Sequence, residues 1–344
     1  MTSSSLPQEP SWIIVVDGVH VFPAGNVSEA YNDLFRECVL VGISVFSATS
    51  RDAIAAVRAG RPCLIFEIGL WPEPLLKWFE QAAEADTCTV PWAAFVDDVE
   101  FHHAAVTRLG NRAYVGAVTP YPDLLLAAQG AVSPPWRTLW LPHGVAQTFM
   151  VPVPDLDLGH DRAVRCLLWG QQDRARYPGR AWLASRTPRP HWLRVLDPPL
   201  YGFMSGPCLR VAPAVLSTEL DACTSCFAGG DTLHVFTSKH WEAAARGVCV
   251  LAHPNVVAVA ATLGLHFHAC DAAAEAAEAT THAWDTFCTL VHKTCPGLPE
   301  SRNVACIRAS HTCRHRAAQL KQWLGDLCVA WKPRPHVHSC TTVS

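Results

Sequence analysis

Short apolar runs alternate with longer stretches of mixed polarity along most of this chain. The runs have the length and the branched, apolar content of buried strands. In the stretch after the first run, apolar residues recur at helical spacing on one face: Val27, Tyr31, Leu34 and Phe35. Strands that alternate with helices in this manner predict parallel sheets covered by helices on both faces.

The predicted strands fall into two series. The first series comprises Trp12–Val16, Cys38–Phe46, Cys63–Ile68, Trp92–Val96, Tyr114–Val118 and Thr138–Leu141. The second series comprises Cys166–Trp169, Trp192–Leu196, Cys223–Ala228, Val248–Ala252 and His266–Cys270. After them, residues 271–286 and 303–328 are predicted to be helical, and the second of these segments carries an apolar stripe.

A proline-containing stretch, Val151–Gly159, separates the two series and suits an interdomain hinge. We therefore predict an N-terminal domain of residues 12–155 and a C-terminal domain of residues 156–332, with disordered ends at 1–11 and 333–344. The expected fold class is α/β, with two Rossmann-like domains facing each other across a cleft. Ligands of such folds bind at the carboxyl ends of the strands, so the arrangement suits a two-substrate transferase.

Composition narrows the class of protein. The chain has 344 residues, of which 50% are hydrophobic and 17% charged, with a formal net charge of -3. This balance gives no electrostatic reason to expect nucleic acid or an anionic membrane as partner. No secretory leader is visible at the start, and the apolar runs are shorter than the roughly 18 residues of a membrane span. We expect a cytoplasmic protein whose 15 cysteines are reduced thiols.

Residues 237–247, with the sequence TSKHWEAAARG, have the clearest chemical character. They predict a short helix that ends at a glycine and leads into a buried strand. A helix N-terminus attracts anions, so Lys239 would meet a phosphate while Glu242 bonds a ribose or sugar hydroxyl. The same pattern fits a surface helix in which the glutamate complements the helix dipole and the lysine is solvated. Both interpretations stay open at this point.

A strand that ends at Gly170 leads into a basic loop and then a helix that starts with proline. Guanidinium groups beside a helix N-terminus can clamp a diphosphate, and Arg174, Arg176 and Arg180 are the candidates here. An ordinary solvated basic loop is the alternative.

Two further loops contain glycine next to a predicted strand. Gly25 opens the first helix and would permit close approach of the backbone to a ligand. His143 and Gly144 lie at the joint between the series, where the glycine is free to take positive φ and let the chain reverse. A simple turn with a hydrogen-bonded histidine is the alternative at the joint. We group these three residues as a hinge or cleft set.

In their order and spacing, these sequence segments resemble the motifs of GT-B glycosyltransferases, especially the retaining group-one superfamily and its spore-maturation-type branch. Four motifs, P-N-G-V-D-x-x-F, Y-P-x-R, T-S-K-x-x-E-x-x-A-x-G and H-T-x-x-x-R, are similar in turn to residues 142–149, 177–180, 237–247 and 311–316. The first motif departs at His143 and Ala146, where the family has Asn and Asp. The resemblance covers roughly residues 12–328.

The resemblance implies an enzyme that transfers a sugar from a nucleoside-diphosphate sugar to an acceptor hydroxyl. It places the donor in the second domain, with Arg180 and Lys239 on the diphosphate. Glu242 would bind the ribose, Ser238 belongs to the same donor motif, and the backbone after Gly170 would lie beside the phosphates. It implies neither a cofactor nor a metal. The acceptor, whether glycan, protein or small molecule, and the stereochemical outcome stay open.

The acceptor is expected in the first domain, where Gly25 belongs to a loop similar to the family's acceptor-side glycine loop. Asp98 and His102 follow the fourth predicted strand and are the candidate bases that would take a proton from the acceptor hydroxyl. The adjacent Asp97 and Asp98 also resemble the metal-binding Asp-x-Asp of GT-A transferases, although no residue separates them here. The GT-A fold, however, would not account for a second Rossmann-like half.

One departure keeps other functions open. His234 stands where the family's two-glutamate motif has its first glutamate, eight positions before Glu242. The donor-sugar contact of that glutamate, and with it a retaining mechanism, are therefore not implied. A catalytically silent GT-B-like binding protein and a sugar-nucleotide 2-epimerase are the two alternatives.

Zinc is not predicted, although the chain has 15 cysteines and 17 histidines. Cys223 and Cys226 form a lone C-x-x-C motif without a partner pair at zinc-ribbon spacing. Within residues 306–315, His311 and His315 alone share the i, i+4 spacing of two ligands on a helix. The sequence therefore predicts no bound metal.

Overall fold

The computed structural model of the protein describes residues 12–16, 26–47, 51–67, 92–96, 114–121, 137–150, 164–170, 177–196, 213–228, 235–270, 281–293 and 298–330. Within these ranges, strands and helices alternate and the strands form two parallel sheets. The first sheet is built from residues before 141, and the second from residues after 163.

The first sheet contains six parallel strands: β1 (Ile13–Val16), β2 (Ser44–Ser47), β3 (Cys63–Glu67), β4 (Trp92–Val96), β5 (Tyr114–Thr119) and β6 (Arg137–Trp140). Their order across the sheet is β2–β1–β3–β4–β5–β6. Helices α1 (Asn26–Leu40) and α2 (Arg51–Arg58) lie between the first three strands. Every side chain of β1 is buried, as is usual for an inner strand of a parallel sheet.

The second sheet contains five parallel strands: β7 (Val164–Leu168), β8 (Leu193–Val195), β9 (Cys223–Phe227), β10 (Cys249–Ala252) and β11 (His268–Ala269). Their order is β11–β10–β9–β7–β8. The helices of this part are α3 (Pro178–Ala184), α4 (Pro213–Asp221), α5 (Ser238–Ala245), α6 (Pro254–Thr262), α7 (Thr281–Lys293), α8 (Leu298–Ser310) and α9 (Cys313–Ala330). Among the described residues no helix combines the length and the apolar character that crossing a membrane requires.

The described residues belong to two compact units. The first takes residues from 1–18, 38–141 and 318–344, and the second from 19–37 and 142–317. The predicted domain boundary at residue 155 lies in a segment outside the described residues and stays a prediction.

The core of the second unit lies on both faces of its sheet. One buried cluster contains the paired strand residues Leu167, Cys226 and Val250, and another contains their successors Leu168, Phe227 and Leu251. Successive side chains of a strand point to opposite faces, so the two clusters cover the two faces. Burial on both faces explains why the sequence shows continuous apolar runs rather than alternation.

All eleven predicted runs contain a strand, but two predictions are wrong in detail. Helix α1 continues to Leu40, and β2 starts only at Ser44, after a turn in which Gly42 has φ +89°. The prediction of a strand from Cys38 is therefore wrong. The predicted helix 303–328 is interrupted, because α8 ends at Ser310 and α9 starts at Cys313. Of the segment 271–286, the described residues from 281 onward are helical, in α7.

The interruption between α8 and α9 has a physical cause. The His311 carbonyl accepts a hydrogen bond from Val145 N at 3.2 Å, and Val145 and Thr312 form an isolated parallel bridge. The backbone at His311 therefore bonds to Val145 instead of continuing one helix.

Candidate functional site

Helix α5 starts with a cap made by an imidazole. Thr237 N donates a hydrogen bond to Nδ1 of His240 at 3.1 Å, in the manner of a capping box in which histidine replaces the usual glutamate or glutamine. The helix is followed by Gly247 with φ +64°. The predicted short helix that ends at a glycine is confirmed, and its first turn carries Ser238 and Lys239.

Two cationic side chains converge on Gly170, directly after β7. Gly170 has φ +101°, and a Cβ placed on it would overlap the ammonium of Lys239 and lie 3.0 Å from Nη1 of Arg180. The guanidinium carbon of Arg180 lies 4.3 Å from the centroid of the Tyr177 ring, and Lys239 Nζ lies 5.9 Å from it. The absent side chain of Gly170 thus provides the space that the two charges occupy.

This arrangement suits an anion. Arg180 is 1% exposed and Lys239 is half-buried, so the interior partly replaces the water around both charges. A phosphate group favours paired cationic donors and the start of a helix, and Lys239 belongs to the first turn of α5. A diphosphate that bridges both side chains would gain charge-assisted hydrogen bonds from each. The structure therefore brings together Gly170, Arg180 and Lys239 from the predicted donor set.

Glu242 follows one turn after Lys239 and is 3% exposed. Ser238, four residues earlier on the same helix, is also buried. A carboxylate taken so far from water costs free energy unless polar groups bond to it, so Glu242 is not the solvated residue of a surface helix. The burial of Glu242 therefore contradicts an exposed α5, whereas the alternative of a solvated Lys239, which is half-buried, stays open.

Side chains from the last predicted motif pack against Trp241 of α5. Trp241 is fully buried, and its ring centroid lies 4.9 Å from that of His311. The Arg316 guanidinium carbon lies 5.5 Å from the Trp241 ring centroid. Both His311 and Arg316 come from the last predicted motif, which thus fixes the helix that carries Lys239.

The hydrogen bonds of His311 define its tautomer. Arg316 Nη2 lies 2.7 Å from His311 Nδ1, and His311 Nε2 lies 3.1 Å from the carbonyl of Leu263. Because a guanidinium is always a donor and a carbonyl always an acceptor, Nδ1 accepts and Nε2 carries the proton. Burial and the charge of Arg316 lower the pKa of His311 to about 4, while burial lowers the pKa of Arg316 to about 10. The imidazole is therefore neutral at pH 7.

The segment at the joint between the two series of strands is tightly packed. His143 is 6% exposed, and its ring centroid lies 5.9 Å from that of Tyr31. Burial, and secondarily the charge of Arg316, lower the pKa of His143 to about 4. Asp33 Oδ2 accepts a hydrogen bond from Gln147 N at 2.7 Å. We name residues 142–149 the corner segment.

Gly144 has a different role from the one expected. Its φ is not among the positive values of the described glycines, so the expectation that it uses positive φ is wrong. A Cβ on Gly144 would lie 2.9 Å from both Cα and Sγ of Cys313. The thiol of Cys313 in turn bonds to the carbonyl of Val145 at 3.4 Å. Glycine is needed here for close packing against the start of α9.

Several candidates lie outside the described residues and stay predictions: Gly25, Asp97, Asp98, His102, Arg174, Arg176 and His234. Sequence reasoning missed two contributions. The ring of Tyr177 was part of a matched motif, but its contact with Arg180 was not expected, although an aromatic residue directly before a proline-started helix is a usable signal. The His240 cap was missed because capping boxes normally have Glu or Gln at that position.

Comparison with known proteins identifies solved structures with a similar fold. No family model matches the chain, and no curated protein does. Solved structures do resemble it over most of its length. The crystal structure of Anabaena Alr3699/HepE in complex with UDP-glucose is 13% identical, with a TM-score of 0.54 over 92% of this chain and 99% of that one.

An alpha-glucosyltransferase in complex with UDP and a 13-mer DNA is 9% identical, with a TM-score of 0.55 over 92% of this chain and 99% of that one. The alpha-glucosyltransferase in complex with UDP-glucose and DNA containing an abasic site is 8% identical, with a TM-score of 0.52 over 91% and 98%. At such identities the likeness concerns the fold. The predicted GT-B type of α/β fold is confirmed, whereas the spore-maturation branch stays a prediction.

Proposed function

We propose that this protein transfers a sugar from a nucleoside-diphosphate sugar to an acceptor hydroxyl. The observation that carries the proposal is the convergence of Arg180 and Lys239 on Gly170. Three groups from different elements meet there, at the carboxyl end of β7, which is where open α/β sheets bind ligands. The solved structures of the same fold that contain UDP or UDP-glucose support a sugar-nucleotide donor.

The chemistry follows from the charges. The acceptor oxygen forms a bond to the anomeric carbon while the bond from that carbon to the diphosphate oxygen breaks. Negative charge then develops on the leaving diphosphate, and Arg180 and Lys239 would stabilise it more strongly than they stabilise the bound donor. The proton of the acceptor hydroxyl would go to a base, for which Asp98 and His102 stay the candidates. No metal or cofactor is part of this proposal.

The remaining donor residues have binding roles. Glu242 would accept hydrogen bonds from ribose hydroxyls, and the backbone after Gly170 would lie beside the phosphates. Ser238 lies on the same face of α5 as Glu242 and would assist there. Trp241, held by His311 and Arg316, would keep this helix in place.

Closure about the predicted hinge near residues 150–160 would exclude water and limit hydrolysis of the donor.

A cytoplasmic location is part of the proposal. Among the described residues no cysteine takes part in a disulfide, which is typical of proteins in reducing compartments. Cys166 in β7 is fully buried, and burial raises its pKa to about 12. Such a thiol stays protonated and acts as a small apolar side chain.

The first experiment measures which nucleotide the protein binds. UDP, GDP, ADP and CMP are compared by thermal shift, since a ligand that binds the folded form alone raises the melting temperature. We expect the largest shift with UDP, the nucleotide of the structural neighbours. Removing one charge-assisted contact costs about 1.5–3 kcal/mol, so Lys239→Ala should weaken nucleotide binding roughly 10- to 100-fold by calorimetry. Lys293→Ala, which removes an exposed lysine of α7, is the matched control.

The second experiment separates the three functions that stay open. Sugar transfer predicts release of free UDP from a UDP-sugar that increases when an acceptor mixture is added. A silent binding protein would bind nucleotide with no turnover, and a 2-epimerase would convert the donor alone into its epimer. Unchanged nucleotide affinity in Lys239→Ala and Glu242→Ala would overturn the assignment of this site.

A further inference from the structure

Three side chains with metal-ligating atoms meet in the second unit, and none of them belongs to the proposed donor site. The thiol of Cys249, the imidazole of His268 and the carboxylate of Glu300 each offer one atom, and these atoms lie within 4.8 Å of one another. Cys249 is the first residue of β10, His268 the first of β11, and Glu300 lies in the first turn of α8. Sequence spacing could not reveal this group, because more than 50 residues separate its ends.

The sheet aligns two of the ligands. β10 and β11 are parallel neighbours, with Leu251 paired to His268. Side chains alternate along a strand, so Cys249 and Leu251 project to the same face, which His268 shares through the pairing. β11 is the edge strand of the sheet, and the His268 side chain is 28% exposed. A cation therefore has a route from solvent to this position.

The third ligand is held in place by a neighbour on its own helix. Asn303, which is 1% exposed, accepts a hydrogen bond from His266 N at 2.7 Å and donates one to His266 O at 2.8 Å. These two bonds fasten α8 to the segment that leads into β11. Glu300 lies three residues before Asn303, so the same fastening keeps its carboxylate beside His268.

The distance between the imidazole and the carboxylate fits a shared ion better than a direct bond. His268 Nε2 and Glu300 Oε1 are 3.4 Å apart. A charge-assisted N–H···O bond is usually about 2.7–2.9 Å long. Two ligands about 2.0–2.2 Å from a tetrahedral zinc are separated by about 3.3–3.5 Å. The sulfur needs about 3.6 Å to each of them, which small rotations of His268 and Glu300 would reach from the present spacing.

We propose that Cys249, His268 and Glu300 bind Zn²⁺, with the fourth tetrahedral position open toward solvent at His268. Zinc accepts sulfur, nitrogen and oxygen ligands together, whereas calcium and magnesium require oxygen ligands throughout. On binding, the Cys249 thiol releases its proton to solvent and ligates as thiolate. The ion would join β10, β11 and α8 and so stabilise the unit. This role is independent of the sugar transfer proposed above.

Cobalt is the direct probe, because a cobalt–thiolate bond gives a charge-transfer absorption in the near ultraviolet. The metal-free full-length protein is titrated with Co²⁺, and we expect one ion per chain with this absorption, displaced by Zn²⁺. Cys249→Ser should abolish the band. Cys306→Ser, which removes the partly buried thiol of α8, should leave the band unchanged.

A second pair of variants keeps the test decisive if Cys249→Ser fails to fold, since Cys249 is fully buried. His268→Gln should weaken Zn²⁺ binding at least tenfold in competition with a chromophoric chelator. His266→Gln, whose ring centroid lies 4.9 Å from that of His268, is the matched control and should bind Zn²⁺ as the unchanged protein does. Saturating Zn²⁺ should raise the melting temperature by a few degrees in the control and not in His268→Gln.

Two results would overturn the proposal: no thiolate–cobalt absorption in the unchanged protein, or equal zinc affinity in His268→Gln and His266→Gln. Neither result bears on the donor site, because UDP affinity is measured separately on the metal-free protein. Conversely, a protein that binds zinc here but no nucleotide would leave the zinc site standing and remove the proposed function.

Discussion

Two glycines of the second unit, Gly144 and Gly170, have neighbours of opposite character. A Cβ on Gly144 would meet the backbone and thiol of Cys313 at 2.9 Å. A Cβ on Gly170 would meet the ends of two long cationic side chains, Lys239 and Arg180. The first glycine permits close packing of rigid elements, and the second opens a space that charged, movable groups fill.

The difference teaches how to distinguish a glycine needed for packing from a glycine of the proposed donor site. Backbone atoms around Gly144 cannot move without shifting a helix, so that position serves the fold. The ammonium at Gly170 can move by side-chain rotation, so the same space can be shared with a phosphate. His143, next to Gly144, is kept neutral, whereas the two groups at Gly170 are cations.

The largest expected effect is loss of stability in acid, and it belongs to the corner segment and its neighbour His311. Both His143 and His311 have folded-state pKa values of about 4, below the ordinary value of 6.5. Between pH 6.5 and 4 the unfolded chain binds protons that the folded chain does not, so the free energy of unfolding falls as pH falls. The loss is about 3 kcal/mol or less for each histidine.

Urea unfolding at pH 7.0, 5.5 and 4.5 measures this loss. His143→Gln and His311→Gln should each flatten the pH dependence, although both start from lower stability at pH 7. His191→Gln, at an exposed position, is the control and should keep the full slope. A slope that is the same in all three variants would show that these imidazoles do not cause the acid sensitivity.

The next effect is a loss of stability in Gly144→Ala without a loss of nucleotide binding. The added methyl group must displace the start of α9, and overpacking of this kind costs about 1–3 kcal/mol. Urea unfolding at pH 7 should show this cost, while calorimetry on the folded variant should give a UDP affinity within about twofold of the unchanged protein. A tenfold loss of affinity would mean that the corner segment contributes to the site.

The smallest effect in stability, but a specific one in binding, is expected for Gly170→Ala. A left-handed conformation costs a residue with a Cβ about 1–2 kcal/mol, and the methyl group would push the Lys239 ammonium away. We expect UDP affinity to fall about tenfold by calorimetry. Gly264→Ala is the matched control, because Gly264 also has positive φ and, among the described residues, its Cβ would meet Cys306 Sγ alone, at 3.3 Å. It should lose similar stability and keep its affinity, and equal losses of affinity in both would contradict the comparison.

The fold could be predicted from periodicity because strands buried on both faces leave continuous apolar runs. The errors come from places where the same composition serves two structures. Cys38, Val39 and Leu40 suit a strand by residue type, but they form the last turn of α1. The break between α8 and α9 depends on a bond from Val145, about 170 residues away, which no local pattern contains.

Part of the candidate site could also be predicted, because the ends of the predicted strands and the starts of the predicted helices mark where side chains meet. Gly170, Arg180 and Lys239 each stood beside the end of a strand or the start of a helix, so topology was enough to suggest that they meet. The Trp241 stack and the zinc ligands depend on which distant elements touch, and sequence spacing does not record that. At Gly144, close contact with Cys313 rather than backbone conformation explains the glycine.

The imidazole that caps α5 has one more consequence. Position 240 is where a capping box would ordinarily carry glutamate, immediately next to Lys239 in the chain. A carboxylate at position 240 would lie close to the Lys239 ammonium and would compete with a phosphate for it. By using an imidazole nitrogen as acceptor, the chain caps the start of the helix without placing a carboxylate beside the proposed phosphate site.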